Sequence, residues 1–276
     1  MSANVAKAMG ALAMHRLQDL GEYSRSYKIG INSVGSAFEE YVKDLLTGGF
    51  YEGQEARAAA FRNEFSWLGN QNFPPDAIAR GGDAFEIKKH EKAGGTIALN
   101  SSHPRDMLYA DDPMITSECR ASMGSSPLDL FYIVGSAPGG VARSIYFVQG
   151  RCYAASPGVY QSISGRLSDA VRGAIEGSGL EYSSTKELGR VNRADPLGRA
   201  SLRVRGMWQI MDPSRAFQAV APPLEGREFY AYAIMERGKA ISFGRLPEGV
   251  SARAARLPDP NNPARPIDAA IMEVSW

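Results

Sequence analysis

The stretch from Phe73 to Lys89 constrains this chain more than any other, because its apolar and charged side chains alternate around a double glycine. Phe73-Pro74-Pro75-Asp76 leads into Ala77-Ile78-Ala79-Arg80, Gly81-Gly82 marks a reversal, and Asp83-Ala84-Phe85-Glu86-Ile87-Lys88-Lys89 runs back. Alternation on both sides of a glycine turn is the pattern of a β-hairpin. In its second arm Glu86 and Lys88 share one face, about 6–7 Å apart, while Phe85 and Ile87 take the other. The apolar pair can therefore meet a core and the charged pair a cleft. Loop length then decides where Asp76 points. A two-residue Gly81-Gly82 loop sets Ala77 opposite Glu86 and turns Asp76 away. A three-residue loop, Arg80-Gly81-Gly82 with a left-handed glycine, sets Asp76 opposite Glu86, with Cβ atoms about 5 Å apart. The longer loop, or a bulge of equal effect, is the expectation.

The rest of the chain supplies a frame for that hairpin. Val34, Ala37, Phe38, Tyr41, Val42 and Leu45 recur at helical period, with Asn32 or Ser33 as cap, Gly48-Gly49 as stop, and Glu39 and Glu40 on the flank. An earlier helix is expected over residues 3–20 and a strand within residues 62–69. Residues 128–134 and 145–148 are apolar runs of strand length that belong in the middle of a sheet. Residues 157–176 repeat as an amphipathic helix through Val159, Ile163, Leu167, Ala170, Val171, Ala174 and Ile175. Further strands are expected at 201–210, 229–235 and 240–244, followed by a Pro-rich tail from Leu257. Helices mixed with short apolar strands predict a single α/β or α+β domain over residues 1–276.

Composition excludes several classes. A hydrophobic share of 44% and a charged share of 22% are those of a globular protein without long disorder. A net charge of +1 gives no bulk attraction for nucleic acid, so any DNA binding has to rest on local segregation of charge. Cys119 and Cys152 are too few for a disulfide framework or a cysteine zinc site. His15, His90 and His103 lack the spacing of metal ligands. The N-terminal segment carrying Val5, Met9, Leu12, Leu17 and Leu20 is too short and broken for a signal peptide or a membrane span, so a cytoplasmic protein is expected.

Two carboxylates set face to face repel, and a hard divalent cation relieves the repulsion. Magnesium takes oxygen ligands at about 2.0–2.1 Å and keeps waters; it acidifies water and stabilises charge during phosphoryl displacement. Asp76 and Glu86 are thus the candidate metal ligands. Lys88 is the candidate to hold the attacking water or help deprotonate it. Glu39, from the preceding helix, is a further catalytic candidate, acting directly or through water. The expected products carry a 5′-phosphate and a 3′-hydroxyl.

Pro75-Asp76 with Glu86-Ile87-Lys88 resembles the active-site signature of the PD-(D/E)XK nucleases. The longer text is similar to the NgoPII-type type II restriction endonucleases. The likeness is carried by Gly35-Ser36-Ala37-Phe38-Glu39-Glu40 and by Pro75-Asp76 through Lys88-Lys89. It continues in Ala98-Leu99-Asn100-Ser101-Ser102-His103-Pro104, Asp112-Pro113-Met114-Ile115, Asp195-Pro196-Leu197-Gly198 and Leu202-Arg203-Val204-Arg205-Gly206-Met207-Trp208. It spans about residues 30–215. The resemblance implies a PD-(D/E)XK nuclease core, α/β, with a central mixed β-sheet flanked by helices and additional C-terminal strands. It implies a catalytic core over about residues 30–176 and a DNA-recognition part over about 177–245. It also implies a homodimer with one magnesium-dependent centre per subunit, cutting both strands of duplex DNA at a short palindromic, GC-rich site such as GGCC. A cognate DNA methyltransferase is expected in the same system.

Specificity has two candidate segments. Asn100, Ser101, Ser102 and His103, with Arg105 close behind, offer short hydrogen-bonding groups for phosphates or base edges; an ordinary turn or helix cap is the alternative. Residues 190–215 hold Arg190, Arg193, Arg199, Arg203, Arg205 and Arg215 against Asp195 and Asp212. Arg203 and Arg205 lie two apart in an expected strand and so share a face. Arginine takes guanine O6 and N7 in two bonds, while phosphate contact or a surface salt bridge is the other reading. Met207, Trp208 and Tyr132 are expected in the core. Two other functions stay open: a structure-selective or repair nuclease using the same hairpin, and a non-catalytic DNA-binding protein whose acids are structural.

Overall fold

The computed structural model describes residues 2–27, 34–70, 73–91, 93–124 and 127–276. The first elements are helices α1 (Val5–His15), α2 (Leu20–Ser26), α3 (Val34–Thr47) and α4 (Gln54–Glu64), then strands β1 (Phe65–Asn70), β2 (Phe73–Ala79), β3 (Ala84–His90) and β4 (Thr96–Asn100). The middle of the chain forms β5 (Met107–Leu108), α5 (Ser117–Ser122), β6 (Leu128–Ser136), β7 (Ser144–Gln149) and α6 (Pro157–Ile175). Next come β8 (Glu181–Ser183), β9 (Gly189–Asn192), β10 (Leu202–Val204), β11 (Trp208–Met211) and α7 (Pro213–Ala216). Strand β12 (Tyr230–Glu236), helix α8 (Arg237–Ser242) and strands β13 (Ser251–Asp259) and β14 (Asn262–Ser275) complete it. The contacts divide the chain into two units. One comprises Met1–Gly95, Asp106–Ala154 and Met211–Trp276; the other comprises Thr96–Arg105 and Ala155–Ile210.

The larger unit is built on a mixed sheet in the order β1-β2-β3-β6-β7-β12-β14-β13, with β5 paired to β6. The β3–β6 and β7–β12 pairs are parallel, whereas β2–β3, β6–β7 and β12–β14 are antiparallel. Every residue of β7 is buried, as the apolar run required for a strand covered on both faces. Alternate side chains serve opposite layers. Ile145, Phe147, Ala231, Ala233 and Met235 join α1 and α3 in one core, while Tyr146, Val148, Tyr230, Tyr232 and Ile234 join Phe217 and Ala221 in the other. The family fold expected from the motifs, α/β with a large mixed sheet flanked by helices, is the one observed.

Helix α3 owes its place to a missing side chain. A Cβ added to Gly135 on β6 would lie 2.1 Å from Cζ of Phe38, so the glycine lets the tip of that ring reach the strand backbone. Phe38, Tyr41, Val42 and Leu45 are fully buried, and Gly48 at φ +97° stops the helix as expected. Gly135→Ala is expected to lower stability by about 1–3 kcal/mol through overpacking. A urea midpoint unchanged from the parent would show that Phe38 moves aside freely.

Several elements differ from their sequence expectations. The first helix stops at His15, because Arg16 turns left-handed at φ 48° and Asp19 then caps a new helix through the N–H groups of Gly21 and Glu22. The cap expected at Asn32 or Ser33 lies outside the described residues. Helix α4 was not expected, and it takes Arg62, Asn63 and Glu64 from the start of the expected strand. The run expected at 201–210 is two strands, β10 and β11, interrupted by Arg205, Gly206 and Met207. Residues 240–244 close α8 rather than forming a strand, and the expected tail from Leu257 is the β13–β14 hairpin. Helix α6 forms as expected, but Val159, Ile163 and Leu167 are exposed. Met207 is exposed rather than in the core, while Tyr132 is buried. Among the described residues no helix is long and apolar enough to cross a membrane.

Candidate active site

The β2–β3 hairpin takes the longer loop. Ala77 pairs with Phe85 and Ile78 with Ala84, and the Ala79 N–H donates to the Asp83 carbonyl across Arg80-Gly81-Gly82. Gly81 is left-handed at φ +64°. This register places Asp76 opposite Glu86, the arrangement expected from the spacing. Side chains from two directions hold the turn. Arg80 donates to the carbonyls of Arg62 and Phe65 at the end of α4, at 2.8 and 3.0 Å. Lys239 Nζ on α8 pairs with Asp83 at 2.5 Å and with Asp129 at 2.9 Å. Phe85 and Ile87 point into the core, leaving Glu86 and Lys88 on the opposite face.

On that face three groups converge. Asp76 Oδ2 accepts the Ile87 N–H at 2.5 Å, which fixes the plane of its carboxyl group. Lys88 Nζ donates to Glu86 Oε1 at 2.6 Å and stands 3.8 Å from Asp76 Oδ2. Glu39 is held by Lys43 at 2.6 Å and reaches the cluster only through its charge, which is felt at both Asp76 and Lys88. Asp76 is pushed up to about 7: burial is the largest cause, the Glu86 charge adds to it, and Lys88 and the Ile87 N–H oppose it. For Lys88, burial favours loss of the proton, but Glu86 and Asp76 outweigh it and raise the ammonium well above its ordinary value.

The donor set fits a magnesium-type cation. Asp76 Oδ1 and Glu86 Oε2 have no protein hydrogen-bond partner among the described residues, so each carboxylate keeps one oxygen open. No cluster of three or more acidic, histidine or cysteine side chains capable of holding a metal occurs among the described residues. A hard cation that takes one or two carboxylates and otherwise water needs no more.

The raised Asp76 value gives a signed pH effect. Between about 4 and about 7 the folded carboxyl keeps a proton that the unfolded chain, at 3.8, has lost. Its contribution to stability therefore falls as pH rises through that window. A cation held by Asp76 and Glu86 must displace the proton. Magnesium is expected to raise the melting temperature more at about pH 8 than at about pH 6. Equal shifts at both pH values would mean that the cation does not sit on Asp76.

In the smaller unit, some recognition candidates come together and others do not. Ser101, Arg203 and Arg205 meet at one carboxylate, Glu187, which the sequence did not single out. Asn100 is exposed and left-handed at φ 53°. Ser102 closes a turn onto the Leu99 carbonyl. His103 stacks on Tyr160 with ring centroids 5.3 Å apart and meets Trp208 edge-on, so it is packed among aromatic rings. Arg105 is buried.

Comparison with known proteins supplies the class. A family model described as NgoPII restriction endonuclease matches residues 3–250, further toward both ends than the motifs alone indicated. The type II restriction enzyme NgoPII of Neisseria gonorrhoeae is 36% identical over 277 residues, covering 98% of each chain. No solved structure matches. The chain belongs to the NgoPII restriction endonuclease family, and its activity is that of a type II restriction endonuclease. Enzymes of this class generally use divalent metal ions.

Proposed function

We propose that this enzyme cleaves both strands of duplex DNA in a magnesium-dependent hydrolysis at a short palindromic, GC-rich site such as GGCC, leaving 5′-phosphate and 3′-hydroxyl ends. The observation that carries the reading is the convergence of Asp76, Glu86 and Lys88 from adjacent strands in a PD-(D/E)XK arrangement. Asp76 and Glu86 hold the cation through the oxygens their protein partners leave open. Bound magnesium supplies Lewis acidity at the scissile phosphate. Lys88 stands beside both carboxylates, so it is placed to hold the attacking water or help deprotonate it, and to steady charge growing on the phosphate. Glu39 adds negative charge at the edge of the cluster.

Catalysis belongs to the hairpin and α3. Recognition belongs to the segment containing Asn100, Ser101, Ser102, His103 and Arg105 and to the later one containing Arg203 and Arg205. A two-fold symmetric site cut on both strands calls for two centres related by the same symmetry, hence a homodimer. The enzyme works in the cytoplasm beside a methyltransferase that protects the same site.

Digestion of sequenced plasmid in magnesium, with mapping of the ends, tests the reading. Discrete bands ending in 5′-phosphates are expected. Cutting confined to branched or mispaired DNA would indicate a structure-selective nuclease. Binding without cutting, unaffected by Asp76→Asn, would indicate a non-catalytic DNA-binding protein. Light scattering of the pure protein checks the dimer.

A further inference from the structure

Glu187 lies in the turn between β8 and β9, with a side chain only 8% exposed. Its Oε1 accepts from Ser101 Oγ at 3.0 Å and forms an ion pair with Arg205 Nε at 2.7 Å, and its Oε2 accepts from Arg203 Nη2 at 3.0 Å. Arg205 Nη2 also reaches Ser101 Oγ at 3.3 Å. One shielded carboxylate thus anchors two guanidiniums that are themselves 59% and 58% exposed. Among the described residues no other ion pair holds either arginine. Two cations on one anion leave a surplus positive charge, whereas a bridge serving stability alone needs one of each. Exposed pairs contribute little stability in any case.

We propose that Glu187 is a positioning residue for DNA recognition, locking Arg203 and Arg205 into one fixed fork whose remaining N–H donors read guanine edges in the major groove. The proposal rests on the DNA-cleavage reading above and deepens it. A free arginine samples many rotamers and loses that freedom on binding. One held along one edge presents the other already oriented. Two-bond recognition of O6 and N7 depends on such orientation, while attraction to a phosphate needs only charge nearby. Ser101 shares the same carboxylate oxygen, so the segment after β4 is fixed by the same device.

The test is Glu187→Gln, nearly equal in shape and one negative charge fewer. Binding is measured in calcium across a range of salt, on duplexes carrying the site mapped by plasmid digestion and on each single base-pair variant. Discrimination is expected to fall about tenfold or more. Non-specific affinity should hold or rise, and the slope of log affinity against log salt should steepen by about one, since a positive charge is unmasked. Added to an Arg203→Gln/Arg205→Gln background, the substitution should change discrimination no further. Unchanged discrimination overturns the proposal. So does a parallel loss of specific and non-specific binding with a lowered melting temperature, which is what a purely structural role produces. Parent protein that binds no duplex overturns the proposal together with the nuclease reading, whereas a parent that cuts and a variant that discriminates equally well removes the proposal alone.

Discussion

Asp76→Asn is expected to cut the cleavage rate by about three orders of magnitude or more while raising the melting temperature of the metal-free protein. The first effect follows from the role proposed for Asp76, a carboxylate holding the cation, whose Lewis acidity would contribute several kcal/mol at about 1.4 kcal/mol per tenfold. The second follows from burial and the Glu86 charge, which make the ionised Asp76 unfavourable in the fold. The asparagine carbonyl can still accept the Ile87 N–H, so the hairpin loses no backbone partner. The gain in stability should grow as pH rises from about 4 to about 7, where the unfolded aspartate is ionised and the folded one is not. Cleavage assays on plasmid and paired melting curves measure both. Retained cutting would remove Asp76 from the metal site, and an unchanged melting temperature would mean that its carboxyl is relaxed in the fold.

The second large effect lies in the helices behind the sheet. Arg57→Met is expected to destabilise the protein by about 3–5 kcal/mol, because it leaves a buried carboxylate without its cation. Asp44 on α3 is fully buried; it accepts from Arg57 Nε at 2.8 Å and from the Tyr23 hydroxyl at 2.6 Å. Burial already pushes Asp44 up to about 6 with Arg57 in place. Arg57 also pairs with Glu40 at 2.6 Å, and its guanidinium lies over the Phe61 ring. Without it Asp44 must take up a proton to remain buried. The loss should therefore be greatest at neutral pH and shrink toward about pH 4, where the unfolded aspartate also begins to carry a proton. Denaturant curves at the two pH values check this, and a loss independent of pH would place the damage in packing around Phe61 instead.

The β2–β3 hairpin was legible because parity leaves few choices: with Phe85 and Ile87 committed to the core, the three-residue loop is the one that sets Asp76 opposite Glu86. The apolar runs of β6 and β7 were legible for the same reason, since a strand covered on both faces has nowhere to place charge. Helix α4 was not, because only Phe61 among its residues is buried and its alanines and charges leave no stripe. The β13–β14 hairpin was hidden by Pro258, Pro263 and Pro266, which suggest a tail; Pro258 lies on the edge strand β13, and Pro263 and Pro266 lie where β14 runs beyond its pairing with β12, positions that tolerate proline. Glu187 had no local signal. Its importance comes from Ser101 and two arginines that the fold gathers around it, and the only hint was an excess of arginine nearby without matching acids.

The parallel pairing of β7 with β12 aligns Ser144 with Tyr230, and most of the smaller unit's residues fall, in sequence, between those two strands. Closing a chain excursion becomes costlier only slowly with its length, by about 0.6 kcal/mol for each doubling. Once the pairing is made, the intervening sequence can lengthen, shorten or be exchanged with little penalty to the sheet that bears the β2–β3 hairpin. On the proposed assignment of Arg203 and Arg205 to recognition, such a layout lets that part of the target preference change by grafting within the excursion, with the proposed catalytic hairpin left in place.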